Sequence, residues 1–384
     1  MSATYARWER RVQWGAHPLA YPMVRAVARL GPVVRVPGVG VVVSDASVAQ
    51  EVLADTTTFT KTGPGSPADL WTPVLGPSVL LNMEGEEHRR LRRQLAGLFS
   101  PSTVERLVAR ALAAALHDLT TRLRSGAEVD FVEVVQYLIG SIIAELVGLD
   151  ADPATVRAAY AQGVAITSLV RLGRPSLTPR QVSLARQTMR SLTATATTAY
   201  EAGDPTTVPG RLRELGMTSE QARGLVAALV LTGTETLVSF LPRLVALTHD
   251  TGWLARLAAE PARKADVVAE ALRYTTPSPV MLRSVAAPGR LGSHRLRPGD
   301  RVVIATLSCT RALGGFDPDR PHPSAVRRLW FGTGVHACLG APLAMAEIDA
   351  VLDAVLAAPG VRVVRRRVAR RVLIPGYAEL VLRT

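Results

Sequence analysis

The sequence predicts a mainly α-helical protein with small β-sheets, an α+β fold built from 384 residues. Three observations predict it. Apolar residues recur at three- and four-residue spacing from Glu86 to about Gly216, the period of helices with one buried face. A second helical pattern, apolar nearly all round, runs from Thr218 to about His249. Short valine-rich runs, punctuated by glycine and proline, occur near residues 33–43, 280–286 and 301–307.

In chain order, the segment PVVRVPGVGVVVSD reads as two strands around the turn dipeptide Pro37-Gly38. Its Gly38-Val39-Gly40 lacks the third glycine and helix start of a dinucleotide-binding loop. Residues 60–82, rich in Gly, Pro, Ser and Thr and containing Trp71, read as a long functional loop. The helical region that follows is broken near Ser100-Pro101, Asp150 to Pro153, Gly173 to Pro179 and Gly203 to Pro209. A helix starting at Thr218-Ser219-Glu220 continues unbroken for ~30 residues, a reach of ~45 Å. Another helix covers Pro261 to Tyr274, and strand-like pieces follow at Val280 to Ala286 and Arg301 to Leu307. A last helix begins just after Cys338 and ends near Ala358. No linker divides the chain, so residues 1–384 are expected to form a single catalytic domain.

With 48% hydrophobic and 20% charged residues, the chain supports a large core and is not disordered. Its net charge of +13 invites a nucleic-acid reading. That excess comes from arginines spread along the chain, with Lys61 and Lys264 the only lysines, so no nucleic-acid partner is expected. The densest run, Arg365 to Arg367 with Arg370 and Arg371, reads as a solvated face. Charges throughout the first fifteen residues rule out a secretory core there. Other apolar stretches fall short of the ~20 residues a membrane helix needs, so a cytoplasmic protein with no membrane partner is expected. Two cysteines, Cys309 and Cys338, make neither a disulfide framework nor zinc spacing.

Chemistry concentrates in Phe331-Gly332-Thr333-Gly334-Val335-His336-Ala337-Cys338-Leu339-Gly340. It sets a cysteine on a glycine-loosened loop immediately before a helix, whose N-terminus favours a thiolate. Gly332 and Gly334 let backbone approach something flat and large, and Phe331 can shield the sulfur. Cys309, in an apolar strand-like run, reads as a buried, inert thiol. Glu270 and Arg273 are three apart on a helix and can pair, as a surface bridge or as a buried bidentate one. His88 and Arg92 share one helix face and can hold an anion, or simply form a charged surface. In the long helix, Gly233 costs ~1 kcal/mol relative to Ala. Beside it, Glu235 and Thr236 form an acid–alcohol pair, although Thr also bonds back to helix carbonyls.

The pattern FGxGxHxCLG, with Leu343 and Glu347 following, resembles the haem-binding loop of the cytochrome P-450 family. The resemblance covers nearly the whole chain. It implies a helix-rich prism with haem b held between a long distal helix and the cysteine-loop helix, and Cys338 as the metal ligand. It implies cofactor contacts from His88, Arg92, Arg283, Phe331, Gly332, His336 and Gly340, with Glu270 and Arg273 as a structural pair. The arginine of Phe316-Asp317-Pro318-Asp319-Arg320 would join that pair. Glu235 and Thr236 would be catalytic, passing protons to dioxygen. Departures from the family pattern stand at Arg328, Met345, Thr232 and Leu237, and residues 312–328 are shorter than usual.

The activity so implied is a monooxygenase that inserts one atom of dioxygen into a hydrophobic small molecule of secondary metabolism, by hydroxylation or epoxidation. No flavin or nicotinamide module is visible, so a ferredoxin and its reductase are expected to supply electrons, with Arg89, Arg93 and Arg327 as a docking patch. A monomer is expected. The substrate pocket would draw on residues 60–82, about 165–180, Val226 to Thr232, Pro277 to Met281 and Pro375 to Ala378. Two competing readings use the same haem: oxidative coupling or cyclisation without oxygen insertion, and a haem-based gas or ligand-binding protein.

Overall fold

The computed structural model of the protein describes residues 4–148, 152–170 and 176–384. The breaks expected at Asp150 to Pro153 and Gly173 to Pro179 therefore lie partly outside the described residues. Helices dominate, as the periodicity predicts. Helix Pro101–Arg124 starts with Pro101 in its first turn after Ser100, and helix Phe131–Val147 is capped by Asp130 at one end and left-handed Gly148 (φ +67°) at the other. These two pack on each other, on the final helix Ala341–Leu356 and on the long central pair described below. Their apolar faces form one cluster that runs from Val12 to Leu382.

The strands are β1 (Val33–Val36), β2 (Gly40–Val43), β3 (Phe59–Thr60), β4 (Val129–Asp130), β5 (Met281–Val285), β6 (Gly289–Leu291), β7 (His294–Leu296), β8 (Arg301–Ile304), β9 (Arg362–Val368) and β10 (Tyr377–Arg383). β1 and β2 form the expected hairpin, Val34 opposite Val42. The five-stranded sheet has the order β1-β2-β8-β5-β3, with β2 parallel to β8 and Val41 opposite Val302. That pairing places Arg283 of β5 opposite Val302, deep in the sheet. A three-stranded sheet β4-β10-β9 and the hairpin β6-β7 complete the β-structure. In β9, Arg365 and Arg367 pair with Glu379 on the surface, whereas Arg366 is drawn inward onto Asp250 at 2.7 Å.

Four expectations change. Residues 60–82 are not all loop: Ser66 caps a helix at Pro67–Leu75 through the backbone N–H of Asp69. Cys309 is buried, as expected, but it sits in a short helix, Thr306–Arg311, because the strand ends at Ile304. The long apolar helix is two, Ser219–Gly233 and Glu235–Thr251, interrupted at Thr234. Thr232 and Thr234 donate their hydroxyls to the carbonyls of Ala228 and Val230, loosening the backbone ladder beside Gly233. Finally, Ser219–Thr251, 33 residues with a stretch of mean hydropathy 1.7, is long and apolar enough to cross a membrane, although 72% of that stretch is buried in the fold.

The first helix, Thr4–Ala16, is tied to this central pair by charge. Glu9 accepts from Arg243 Nη2 at 2.6 Å, and neither side chain is more than 4% exposed. Arg243 also donates to the carbonyls of Thr275 and Pro375, and Arg311 reaches the same Glu9 oxygen at 2.9 Å.

Candidate functional site

Cys338 lies between a one-turn 3₁₀ segment, Gly334–His336, and the helix beginning at Ala341. Its backbone N–H donates to the carbonyl of Phe331 at 2.8 Å, which closes the loop over the glycines. Gly332 and Gly334 both have φ +71°, a conformation that other residues adopt with strain, and a Cβ on Gly334 would sit 3.0 Å from the carbonyl oxygen of Leu53. Their glycine identity is thus a requirement of the turn itself. Water can touch Cys338, yet protein rings it: burial raises its thiol pKa, opposed by the backbone N–H of Gly340 and the charge of Arg92. By contrast Cys309, packed in the core, is pushed up to about 12 by burial.

Around the loop the fold gathers a cluster of bases. His88 and Arg92 stand on helix Gly85–Leu95, His336 on the cysteine loop, Arg283 on β5, and Lys61 just after β3. The rings of His88 and His336 are 4.4 Å apart. Among the described residues one carboxylate acts on the cluster: Glu84 lies 3.5 Å from His336 Nε2 and accepts from the Thr60 hydroxyl and the Lys61 backbone N–H. Burial raises the Glu84 pKa, but bonds from His336, Thr60 and Lys61 outweigh it and bring it down to about 2. The bases show the opposite strain. Burial and the neighbouring Arg283 lower Lys61 to about 8, burial lowers Arg283 to about 10, and burial with His336 lowers His88 to about 4. The Nδ1 atoms of both histidines are buried without a partner among the described residues.

These residues fit haem. Cys338 is a soft donor on an accessible turn, and the surplus of buried positive charge beside it suits two propionates. Among the described residues no group of three or more His, Cys, Asp or Glu could hold a metal ion.

Glu270 and Arg273 form a bidentate pair at 2.6 Å on helix Lys264–Thr275, both at most 1% exposed. Arg273 also donates to the carbonyls of Thr310 and Gly315, binding the segment that leads into the cysteine loop. Arg320 comes within 4.0 Å of Glu270, while its hydrogen bonds go to Gly315 and Asp317. His322, which sequence reasoning missed, is closer, its Nε2 lying 2.8 Å from Glu270.

On the central helices Glu235 is buried and accepts from the Thr167 hydroxyl at 2.5 Å. Burial raises its pKa, and the Thr167 bond opposes the rise. Leu229, Thr232, Gly233 and Thr236, at helical spacing, are partly or fully exposed on helices otherwise in the core, so this face borders open space. Thr232 and Thr234 bond back to carbonyls; no such bond is made by Thr236 among the described residues. No hydrogen bond joins Glu235 or Thr236 to the Cys338 loop there. Lys61 and Glu84 were missed as well, since neither sits in a local pattern.

Residues 265–365 match the family described as Cytochrome P450. The chain is 30% identical over 330 residues to erythromycin C-12 hydroxylase of Saccharopolyspora erythraea, covering 80% of this chain and 79% of the relative. It is also 30% identical over 363 residues to cytochrome P-450 monooxygenase DoxA of Streptomyces sp. strain C5, covering 84% and 83%. A mutant of P450 EryK in complex with erythromycin B superposes with a TM-score of 0.80 at 26% identity, covering 94% and 95% of the two chains. CYP164A2 of Mycobacterium smegmatis, at 22% identity, shares the fold with a TM-score of 0.80 over both whole chains.

Proposed function

The chain belongs to the cytochrome P450 family, and on that premise we propose that it is a haem-thiolate monooxygenase inserting one atom of dioxygen into a hydrophobic small molecule of secondary metabolism. Its cofactor is haem b with an axial cysteine thiolate, and in this reading the cysteine is Cys338. Bound haem supplies the activation and cleavage of dioxygen, which thiolate donation favours. The observation that carries the reading is the juxtaposition of the Cys338 loop with a cationic cluster that a single carboxylate, Glu84, opposes.

The chain's own residues then divide the work. Arg92 and the Gly340 N–H favour negative charge on the sulfur, and Phe331, Gly332 and Gly340 shape the turn that presents it. His88, Arg92, Arg283 and His336, joined by Lys61, orient the cofactor by its carboxylates. Glu270 and Arg273 hold the loop in place. Thr236, with its hydroxyl not bonded back to the helix, takes up and passes a proton at its Oγ1, and Glu235, whose pKa burial raises, supplies it.

The proposal extends to electron donors: a ferredoxin and its reductase, docking where exposed Arg89, Arg93 and Arg327 lie, with Glu86 partly neutralising the first two. It also takes residues 1–384 as a single catalytic domain acting as a cytoplasmic monomer. The shared cluster from Val12 to Leu382 supports the single domain. Names such as erythromycin C-12 hydroxylase support a bulky, largely apolar natural product as substrate.

Two measurements test this. The reduced carbonyl complex is expected to show the red-shifted Soret band of thiolate ligation; a band in the position of histidine-ligated haem overturns the reading. Under labelled dioxygen, one labelled atom is expected in the product. Turnover without label would instead indicate coupling or ring closure.

A further inference from the structure

Away from the Cys338 loop, the two N-terminal helices, Thr4–Ala16 and Ala20–Leu30, stand against helix Thr306–Arg311 and the end of helix Lys264–Thr275. Between them is a cavity of about 520 Å³. That is room for a drug-sized ligand, which typically needs ~300–1,000 Å³.

Its lining is one-sided in charge. Arg10, Arg25, Arg29 and Arg311 border it, and among the described residues no aspartate or glutamate does. Arg311 is committed to Glu9 and to the Tyr274 carbonyl, and Arg25 touches the Tyr21 hydroxyl at 3.4 Å. Arg10 and Arg29 are exposed at the rim, and no ion pair joins either to a carboxylate among the described residues. Deeper in, Gln13 is 1% exposed, lines the cavity, and has a side-chain nitrogen with no hydrogen-bond partner among the described residues. A buried amide N–H left unpaired is costly, so an acceptor there is favoured. His17, Ser44 and Ser308 also line it, and much of the remaining wall is flat or apolar: Tyr5, Tyr21, Tyr274, Val24, Leu307 and Pro279. Tyrosine faces and small aliphatic side chains suit a ring rather than a bare inorganic ion.

We infer that this cavity is a second binding site for an organic anion, a carboxylate or phosphate carried on an aromatic or compact apolar body. The acid end meets Arg10, Arg29 and the Gln13 amide, and the body lies on the tyrosines. The site has a route to the rest of the molecule. Pro279 and Val280 in its wall run directly into β5, which carries Arg283.

The test uses the haem-loaded full chain and 2-naphthoate as probe, titrated by calorimetry, with uncharged 2-naphthylmethanol as control. Saturable naphthoate binding is expected, at least about tenfold tighter than the alcohol, since charge-assisted hydrogen bonds are worth that much. Arg10→Glu with Arg29→Glu, at exposed positions, is expected to weaken it by about tenfold or more. Ala28→Trp, which fills the cavity, should abolish it. Hydrogen-exchange protection on binding should appear in Thr4–Ala16 and Ala20–Leu30. Absence of saturable binding, equal affinity for the alcohol, or undiminished binding in both variants would overturn the inference, as would protection confined to the central helices.

Discussion

The hydroxyl of Thr167 lies 2.5 Å from Oε1 of Glu235, and both side chains are buried. That bond holds the Glu235 pKa down while burial lifts it. Thr167→Val removes it, so the carboxyl keeps its proton to higher pH. With Glu235 as proton source, the alkaline limb of the kcat profile is expected to move up; initial rates across pH measure it. A limb that stays put removes Glu235 from the proton path. Thr236→Val, nearly isosteric, should lower kcat by about 10²-fold or more, the scale of proton-transfer catalysis.

Lys61 and Arg283 set up a test with opposite signs. Both are basic groups whose pKa falls on burial, Lys61 to about 8. A lysine lowered in the folded state costs stability at neutral pH, and that cost fades as pH rises through 8 towards its ordinary 10.5. Lys61→Met is therefore expected to raise the melting temperature of cofactor-free protein at pH 7. In the haem-loaded protein it should do the reverse for retention, speeding haem loss to apomyoglobin by about tenfold. Parallel effects in the two forms would mean that Lys61 does not meet an anion of the cofactor.

Glu347 is buried in the final helix, its Oε1 without a partner among the described residues, and burial raises its pKa well above the usual carboxyl value of 4.5. A carboxyl whose pKa rises on folding contributes most at low pH and loses that contribution as pH climbs. Glu347→Gln should thus match wild type near about pH 5 and exceed it in melting temperature by about pH 8. A gap independent of pH would show that the carboxyl finds a partner.

Breaking the Glu270–Arg273 pair should be severe. Removing one partner leaves a buried charge uncompensated, at a cost of about 3–5 kcal/mol. Glu270→Gln and Arg273→Ala are expected to give little folded protein by circular dichroism and gel filtration. Arg273→Lys should not rescue it, because an ammonium cannot reproduce the forked donation to both oxygens and to the Gly315 carbonyl. Normal folding of the lysine variant would reduce this pair to a simple charge contact.

The cysteine loop was legible because its information is local: two glycines forced into φ +71° and a thiol ahead of a helix lie within ten residues. Glu270–Arg273 was legible for the same reason, and so was the β1–β2 hairpin. Lys61 was not. Its neighbours, the attracting Glu84 and the repelling Arg283, come from other parts of the chain, and a lone lysine among glycines and prolines carries no period. The short helix with Cys309 shows a second limit, since a brief apolar run suits strand or helix equally until packing decides. The helix Pro67–Leu75 did leave a readable signal, Ser66 followed by Pro67, that the surrounding glycines obscured. The interruption at Thr234 comes from two hydroxyls competing for carbonyls, a contest that periodicity does not register.

Glu9 has a consequence for anyone who trims or retags this protein. Its carboxylate is the counter-ion of Arg243, a guanidinium at 0% exposure in the middle of the buried helix Glu235–Thr251. An expression clone that starts after residue 16 discards no ornamental tail; it strands a cation in oil. Damage from such a deletion would surface far from the cut, in the helix that carries Glu235 and Thr236, and would be mistaken for an active-site defect.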